Sequence, residues 1–426
     1  MHLIPALLQA AVEPLPASTG VFVIFSLLKL VVIFSIYMVG IAYSTFAERR
    51  ISAWIQDRHG PNRVGPWGLF QVLADGVKNF MKEETYPGEA NTVLFVLAPA
   101  LAFVPAMITW AVIPFAAPWG SPWGRIDMVV ADLPVGFLFT LAISSLGVYG
   151  LTLAGWASNN KYALLGGLRA SAQMISYEIA LGMATVCVLL VSGNAHLTEI
   201  IQQQSTSGWN VLILSVACFI FLVASFAETN RVPFDLPEAE AELIAGYHTE
   251  YSAMKFSMFP ISEYANMITA GAMISTLFFG GWDIPFTHWD NIPPYTGLKV
   301  LATFGMFAAK VMFFMFFFIW IRWTLPRFRY DQLMSLGWKF MLPLALAYVT
   351  VVASTILGLD AAGIARGSWA YLGVMLALNL VLVVLMFFVL DRGRIISPAS
   401  SRLNKRQVNQ LKAVAPALSD LSGKGV

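Results

Sequence analysis

The chain has 426 residues, of which 58% are hydrophobic and only 12% are charged, and its formal net charge is +2. A soluble domain carries about 25% charged residues, so this composition is typical of a protein embedded in a lipid bilayer. The near-neutral balance, without a basic patch interleaved with aromatic residues, excludes nucleic acid as an expected partner. The two cysteines, Cys187 and Cys218, lie in apolar runs and are interpreted as small core residues.

Long apolar stretches recur along the chain, and a helix needs roughly 20 such residues to cross a membrane. Nine stretches qualify: residues 21–43, 92–115, 134–153, 172–191, 211–226, 261–279, 301–321, 340–359 and 369–390. Backbone polar groups must be satisfied inside lipid, and the alternating pattern of membrane strands is missing, so the sequence predicts an all-α polytopic bundle. Lys and Arg concentrate after the odd-numbered stretches, which predicts an outside N-terminus, a cytoplasmic C-terminus and long cytoplasmic loops.

The first long cytoplasmic segment covers residues 48–91 and contains an amphipathic pattern. Its apolar stripe has helical spacing and consists of Trp67, Phe70, Leu73, Val77 and Phe80, whereas the other side carries Asp75, Lys78 and Lys82. This pattern predicts a helix that lies at the membrane interface. Such a helix can frame an opening for a lipid-like ligand, and a plain surface anchor is the alternative.

The second long segment, residues 228–264, is strongly acidic. Its carboxylates are Glu228, Asp235, Glu238, Glu240, Glu242, Glu250 and Glu263, and its only cations are Arg231 and Lys255. Carboxylates this close cannot all ionise without cost, so they are expected to titrate as a coupled set. A solvated acidic loop is the alternative.

Ionisable residues also occur inside the apolar stretches, notably Glu178 in the fourth and Lys310 in the seventh. Such residues are costly in a membrane and usually face the bundle interior, and Lys310 could balance a carboxylate there. Glu178, Glu228 and the loop carboxylates together suggest stations for protons. Neither metal-ligand spacing nor a nucleotide or phosphate loop is found, so neither a metal nor a bound cofactor is expected.

Several ordered blocks of sequence carry a family resemblance. They are AERR (residues 47–50), GPNRVG (60–65), GWASNNKY (155–162), LRASAQMISYE (168–178), AETNRVPFDLPEAEAE (227–242), EYS (250–252) and WIRWTLPRFRYDQLM (320–334). These blocks resemble the signatures of the quinone-site membrane subunit of respiratory complex I, the bacterial NADH:quinone oxidoreductase, and of its mitochondrial counterpart. The ninth stretch and the tail exceed the eight-helix pattern of that family.

The resemblance implies a domain organisation and an activity. Residues 1–358 would form the family's membrane domain. Beyond it, apolar length predicts an extra C-terminal helix over residues 359–392, and a polar composition predicts a disordered cytoplasmic tail over residues 393–426. The subunit would form much of the quinone chamber of a proton-translocating NADH:quinone reductase and join the membrane arm to the peripheral arm. Quinone would be the substrate, whereas NADH, FMN and the iron–sulfur clusters would reside in other subunits.

The resemblance also implies partners and site residues. The partners would be the soluble quinone-site and iron–sulfur subunits, the small membrane-arm subunits and the lipid of a bacterial inner membrane. The first helix, the interfacial helix and the sixth helix would frame the quinone opening, and no residue of this chain would take part directly in redox chemistry. The quinone channel and soluble-arm contact would include Glu48, Arg49, Ala53, Trp54, Arg58, Arg63 and Asp75. The proton path would include Glu178, Glu228, Arg231, Asp235, Glu238, Glu240, Glu242 and Lys310, and Arg322 and Asp331 match other charged positions of the family.

Two other functions compete with this interpretation. A homologous membrane component of a hydrogenase-type complex would use the same fold without quinone. A stand-alone cation/proton antiporter, or a scaffold component without chemistry, would have no need for two elaborate cytoplasmic segments.

Overall fold

The structure is a computed structural model that describes residues 19–235, 246–285, 287 and 289–391. Nearly all regular structure in these ranges is helical. The helices are α1 (Thr19–Ile55), α2 (Gln71–Met81), α3 (Thr92–Ile108), α4 (Gly136–Ala157), α5 (Lys161–Ser192), α6 (Leu197–Ser207), α7 (Asn210–Ile213), α8 (Ser215–Glu228), α9 (Ala253–Phe278), α10 (Gly297–Thr324), α11 (Tyr330–Ser335), α12 (Leu342–Ala361) and α13 (Trp369–Asp391). A short antiparallel hairpin joins β1 (Trp119–Ser121) to β2 (Gly124–Ile126), with Gly120 opposite Arg125.

Within the described ranges, seven helical segments are long and apolar enough to cross a membrane. They are α1, α3 with the turn that follows it, α4, α5, α10, the α11–α12 unit and α13. The all-α polytopic fold is therefore confirmed. Two predicted stretches give helices outside this set: α8 has only 14 residues, and α9 carries polar and charged residues along its first half.

Helix α1 extends further than its apolar stretch. It continues to Ile55, because the segment from Ser44 contains neither glycine nor proline to end it. Glu48, Arg49, Ala53 and Trp54, which were expected in a loop, therefore lie on the last turns of a helix.

The interfacial helix is observed as α2, but it is shorter than the apolar stripe. Trp67 lies in a preceding turn, Pro66–Gly68, so its assignment to the helical stripe was wrong. That turn requires glycine, since Gly68 has a φ of 80° and a Cβ there would lie 2.3 Å from the carbonyl oxygen of Pro61. Leu73, Val77 and Phe80 project outward from α2, each at least 63% exposed.

Helix α5 lies at the centre of the bundle and packs against α4, α8 and α12. Tyr177 is fully buried and donates a hydrogen bond to the carbonyl oxygen of Leu333 at 2.9 Å. Gln173 is also fully buried, and its amide donates to the carbonyl oxygens of Ala227 at 2.8 Å and Phe234 at 2.9 Å. Helix α5 thereby fixes the segment that follows α8 and begins the acidic region.

Candidate functional site

A buried cluster of charges joins α1, α9 and α10 at their predicted cytoplasmic ends. Glu48 is only 5% exposed and lies 3.2 Å from Arg231, which is 6% exposed. Arg322 forms a second ion pair with Glu48, and the hydroxyl of Tyr264 donates to the same carboxylate at 2.7 Å. The guanidinium of Arg231 also lies 4.3 Å from the ring centroid of Tyr264.

The cluster continues toward the membrane interior through Glu263. Its carboxylate lies 3.9 Å from the Arg231 guanidinium. Two carboxylates, Glu48 and Glu263, are thus matched by the guanidiniums of Arg231 and Arg322. Because buried charges are tolerated when they are paired and hydrogen-bonded, this arrangement can hold the buried Glu48 and Arg231 in their ionised forms.

Glu228 is the last residue of α8, at the predicted cytoplasmic end of that helix, and it lines two small cavities. One, of about 20 Å³, is also lined by Asn230, Ser262, Glu263 and Asn266. The other, of about 40 Å³, is lined by Glu228, Ser144 and Asn266, among others. A cavity needs a volume of about 10–15 Å³ to hold one water molecule. Both cavities exceed this volume, so both can contain water beside polar groups.

An ion pair between Arg49 and Asp75 connects the interfacial helix α2 to α1. Arg49 donates to Asp75 at 2.6 Å, and Gln71 donates to the same carboxylate at 3.1 Å. Partial burial alone would raise the pKa of Asp75, but these hydrogen bonds and the charges of Arg49 and Lys78 lower it overall. Asp75 is therefore ionised at neutral pH and holds α2 in place.

An open pocket of about 350 Å³ adjoins this pair on the predicted cytoplasmic side. Its lining comprises Arg49, Ser52, Arg58, His59, Gly60 and Pro61. Two of the predicted channel residues, Arg49 and Arg58, meet here. Ser52 and His59 were not among the predicted channel residues, although GPNRVG directly follows His59.

The other predicted channel residues lie elsewhere. Ala53 is fully buried beneath Gly60 rather than on the surface of this pocket. Trp54 is 66% exposed, with the guanidinium of Arg50 6.0 Å from its ring centroid. Arg63 lies in the exposed turn before α2.

The remaining proton-path residues are dispersed. Glu178 is half-buried on α5 and lines neither of the two cavities described above. Asp235 pairs with Arg327 at 3.2 Å. Glu238, Glu240 and Glu242 lie outside the described residues.

Lys310 lies in the middle of α10, 12 residues before Arg322. Its ammonium donates to the carbonyl oxygens of Phe279, Gly281 and Asp283 at 2.7–2.9 Å. These hydrogen bonds go to backbone rather than to a carboxylate, because the chain after α9 folds back over the lysine. The expectation that Lys310 balances a carboxylate stays a prediction.

An apolar groove of about 460 Å³ runs between α1 and α10. Tyr37, Gly40 and Ile51 line it on α1, and Ala308 and Met315 line it on α10. A groove of this shape and polarity suits a hydrocarbon or isoprenoid chain.

Sequence reasoning missed several residues that this site depends on. Tyr264 and Ser144 are single polar groups in apolar surroundings, and their spacing carries no signal of a shared site. Gln173 could have been noticed, because an amide in the middle of an apolar helix must find partners in the bundle.

Comparison with known proteins shows where the chain belongs. The family described as NADH dehydrogenase matches residues 28–353. The chain is 50% identical to an H-type subunit of NADH-quinone oxidoreductase from Cytophaga hutchinsonii over 325 residues, which is 76% of this chain and 94% of that protein. It is 48% identical to the H-type subunit from Leptospira biflexa over 337 residues, 77% of this chain and 93% of that protein. An H-type subunit from Geobacter metallireducens is 50% identical over 76% of this chain and 94% of its own length.

Proposed function

Because the chain belongs to the NADH dehydrogenase family as an H-type subunit of NADH-quinone oxidoreductase, we propose that it forms the membrane part of the quinone chamber and couples quinone reduction to proton translocation. The other subunits of that complex are its partners. In this proposal NADH, FMN and the iron–sulfur clusters belong to the soluble subunits, and quinone is the substrate. The names of the relatives favour this function over a hydrogenase-type component or a stand-alone antiporter.

One observation carries the proposal, namely the series of polar side chains from Glu48 through Arg231 and Glu263 to Glu228. Arg231 contacts both Glu48 and Glu263, and Glu263 shares a water-sized cavity with Glu228. The second cavity continues from Glu228 to Ser144 on α4. Polar groups spaced by single waters are what a proton needs to move through an apolar bundle.

The chemistry assigns each part a task. Two-electron reduction of a quinone takes up two protons and makes the headgroup transiently anionic. Negative charge beside Arg49 and Arg58 would attract Arg231, the arginine that Glu48 and Glu263 share, because interactions between charges are strong where the dielectric constant is low. A weaker ion pair between Arg231 and Glu263 favours protonation of the Glu263 carboxylate. Once protonated, Glu263 can pass that proton to Glu228 through water.

The acidic segment that begins at Asp235 extends this proposal. Glu238, Glu240 and Glu242 follow it directly in sequence and would respond first to charge in the chamber. If Glu240→Gln left both quinone reduction and pumping unchanged, this segment would have no place in the mechanism.

The experiment is inhibitor-sensitive NADH:quinone reduction together with proton pumping in membranes that carry Glu228→Gln. The variant keeps the size and hydrogen bonding of the side chain but cannot release a proton. We expect an assembled complex that reduces quinone with pumping lost or uncoupled. Glu83→Gln is the matched control, because Glu83 is solvent-exposed between α2 and α3.

Full activity and full pumping by Glu228→Gln would refute the proton route. Glu228 would then have no role in proton transfer, and a scaffold role would become the better description of this part of the chain.

A further inference from the structure

The fifth apolar stretch does not form one continuous helix. It is interrupted at Leu214, whose φ and ψ of −133° and 40° separate the short α7 from α8. A break in a membrane helix frees backbone groups that need other partners, since water is not available to them in lipid. In a continuous helix the carbonyl oxygen of Ile213 would accept from the N–H of Ala217.

Helix α13 supplies a partner at this break. Asn379 is 1% exposed, and its amide donates to the carbonyl oxygen of Ile213. Its own carbonyl oxygen accepts from the hydroxyl of Tyr348 on α12 at 2.7 Å and lies 3.4 Å from the hydroxyl of Ser215. Asn379 therefore connects α12 and α13 to both sides of the break.

The surroundings of Asn379 are otherwise apolar. Met375, one turn earlier on α13, is fully buried, whereas Leu380 and Val381 are 64% and 59% exposed on the outer side. An amide inside an apolar transmembrane helix costs insertion free energy, so its buried position indicates a specific task. The family match ends at residue 353, before α13 begins, so Asn379 lies outside the matched range.

A tilt of α8 at the break would move Glu228, which lies at the other end of that helix. That helix has 14 residues, so Glu228 lies about 20 Å from the break. For a lever of that length, a tilt of about 10° at Leu214 would displace its far end by about 3–4 Å. Such a displacement exceeds the length of a hydrogen bond. It would separate Glu228 from the cavity that it shares with Glu263 and from the cavity that it shares with Ser144.

We propose that Asn379 is a positioning residue, which ties the break at Leu214 to α12 and α13 and thereby sets the place of Glu228 between its two cavities. This inference rests on the proposed function of Glu228 in proton transfer. It gives the extra C-terminal helix a role in coupling rather than in quinone chemistry.

The experiment uses the whole complex in membrane vesicles and the variants Asn379→Leu and Tyr348→Phe. Leucine has the same branching at Cγ as asparagine and inserts more readily, but it leaves the Ile213 carbonyl and the Tyr348 hydroxyl without the amide. Leu380→Ala is the control, because it changes an exposed neighbour on the same helix. Assembly, quinone reduction, protons pumped per electron pair and hydrogen exchange of the amides in residues 215–228 are measured for each.

We expect Asn379→Leu to assemble and to reduce quinone, with a loss of protons pumped per electron pair. Exchange of the first amides of α8 should be faster. The pH profile of quinone reduction should shift in Asn379→Leu, and this shift should vanish when Glu228→Gln is also present. Leu380→Ala should match the unmodified chain in all four measurements.

The outcomes separate this inference from the proposal on which it rests. Normal pumping by Glu228→Gln removes the proton route itself. Lost pumping by Glu228→Gln, with normal pumping and normal exchange in Asn379→Leu, overturns only the role of Asn379. If Asn379→Leu does not assemble, Tyr348→Phe decides: it removes one hydroxyl, and unchanged pumping and exchange in that variant overturn the inference.

Discussion

At the scale of single residues, the site depends on charges that are buried and shared. Glu48 accepts from Arg231, Arg322 and Tyr264, so one carboxylate stabilises groups from three separate parts of the chain. A substitution that removes the Glu48 carboxylate leaves the guanidiniums of Arg231 and Arg322 without their main partner. Removing one member of a buried pair is therefore far more costly than removing an exposed one.

Glu48→Gln is expected to reduce stability as well as activity. Loss of the carboxylate should destabilise the folded chain by about 3–5 kcal/mol, the usual cost of leaving a buried charge uncompensated. The measurement is the amount of assembled complex and its thermal midpoint, with Asp360→Asn as a control at an exposed pair with Arg366. Equal midpoints for the two variants would mean that the cluster is well hydrated.

At the scale of elements, two features could admit the tail of a quinone. One is the interfacial helix α2, which is fixed to α1 by Asp75 and also packs against α9. The other is the groove between α1 and α10. Since α2 presents its apolar side outward and lies beside the Arg49 pocket, we place the opening at α2.

The double substitution Leu73→Ser and Val77→Ser tests this placement. We expect a severalfold higher KM for a long-tailed quinone and little change for a short-tailed one, because only a long tail contacts the apolar side of α2 as it enters. Ala308→Phe, which fills the α1–α10 groove, is the matched comparison. A raised KM in Ala308→Phe alone would move the opening to the groove.

At the scale of the whole molecule, the alternation of Lys and Arg predicts an orientation. The N-terminus would lie outside, and the Glu48 cluster and α2 would face the cytoplasm. The two native cysteines are buried, so single introduced cysteines can report accessibility with little background. The exposed hairpin residue Trp123 and the exposed Glu83 lie on opposite predicted sides.

Labelling of whole cells with a membrane-impermeant maleimide tests this orientation. Trp123→Cys should react in intact cells, whereas Glu83→Cys should react only after the membrane is opened. The reverse result would invert the orientation and place the Glu48 cluster on the outer side. Reaction of both in intact cells would mean that the labelled chain is not inserted as a bundle.

The sequence by itself was sufficient for the class of fold, the family and most of the helices. Apolar length decides which segments cross a bilayer, and that property is local, so it can be read without coordinates. The acidic segment, Glu178 and the interfacial helix were recognisable for the same reason, since a charge or an amphipathic stripe is anomalous in its own neighbourhood. The start of α2 could not be read in this way, because it depends on the turn around Gly65 and Gly68.

Only the tertiary structure decided which of these residues meet. Arg231 and Arg322 lie 183 and 274 positions from Glu48 in the sequence, and no spacing rule joins the three. The carbonyl contacts of Lys310, the cavities beside Glu228 and the contact of Asn379 with the break at Leu214 also arise from packing between distant helices. Periodicity shows which side of a helix is apolar, but the partner of a buried polar group is set by which helices pack together, and that is a property of the whole bundle.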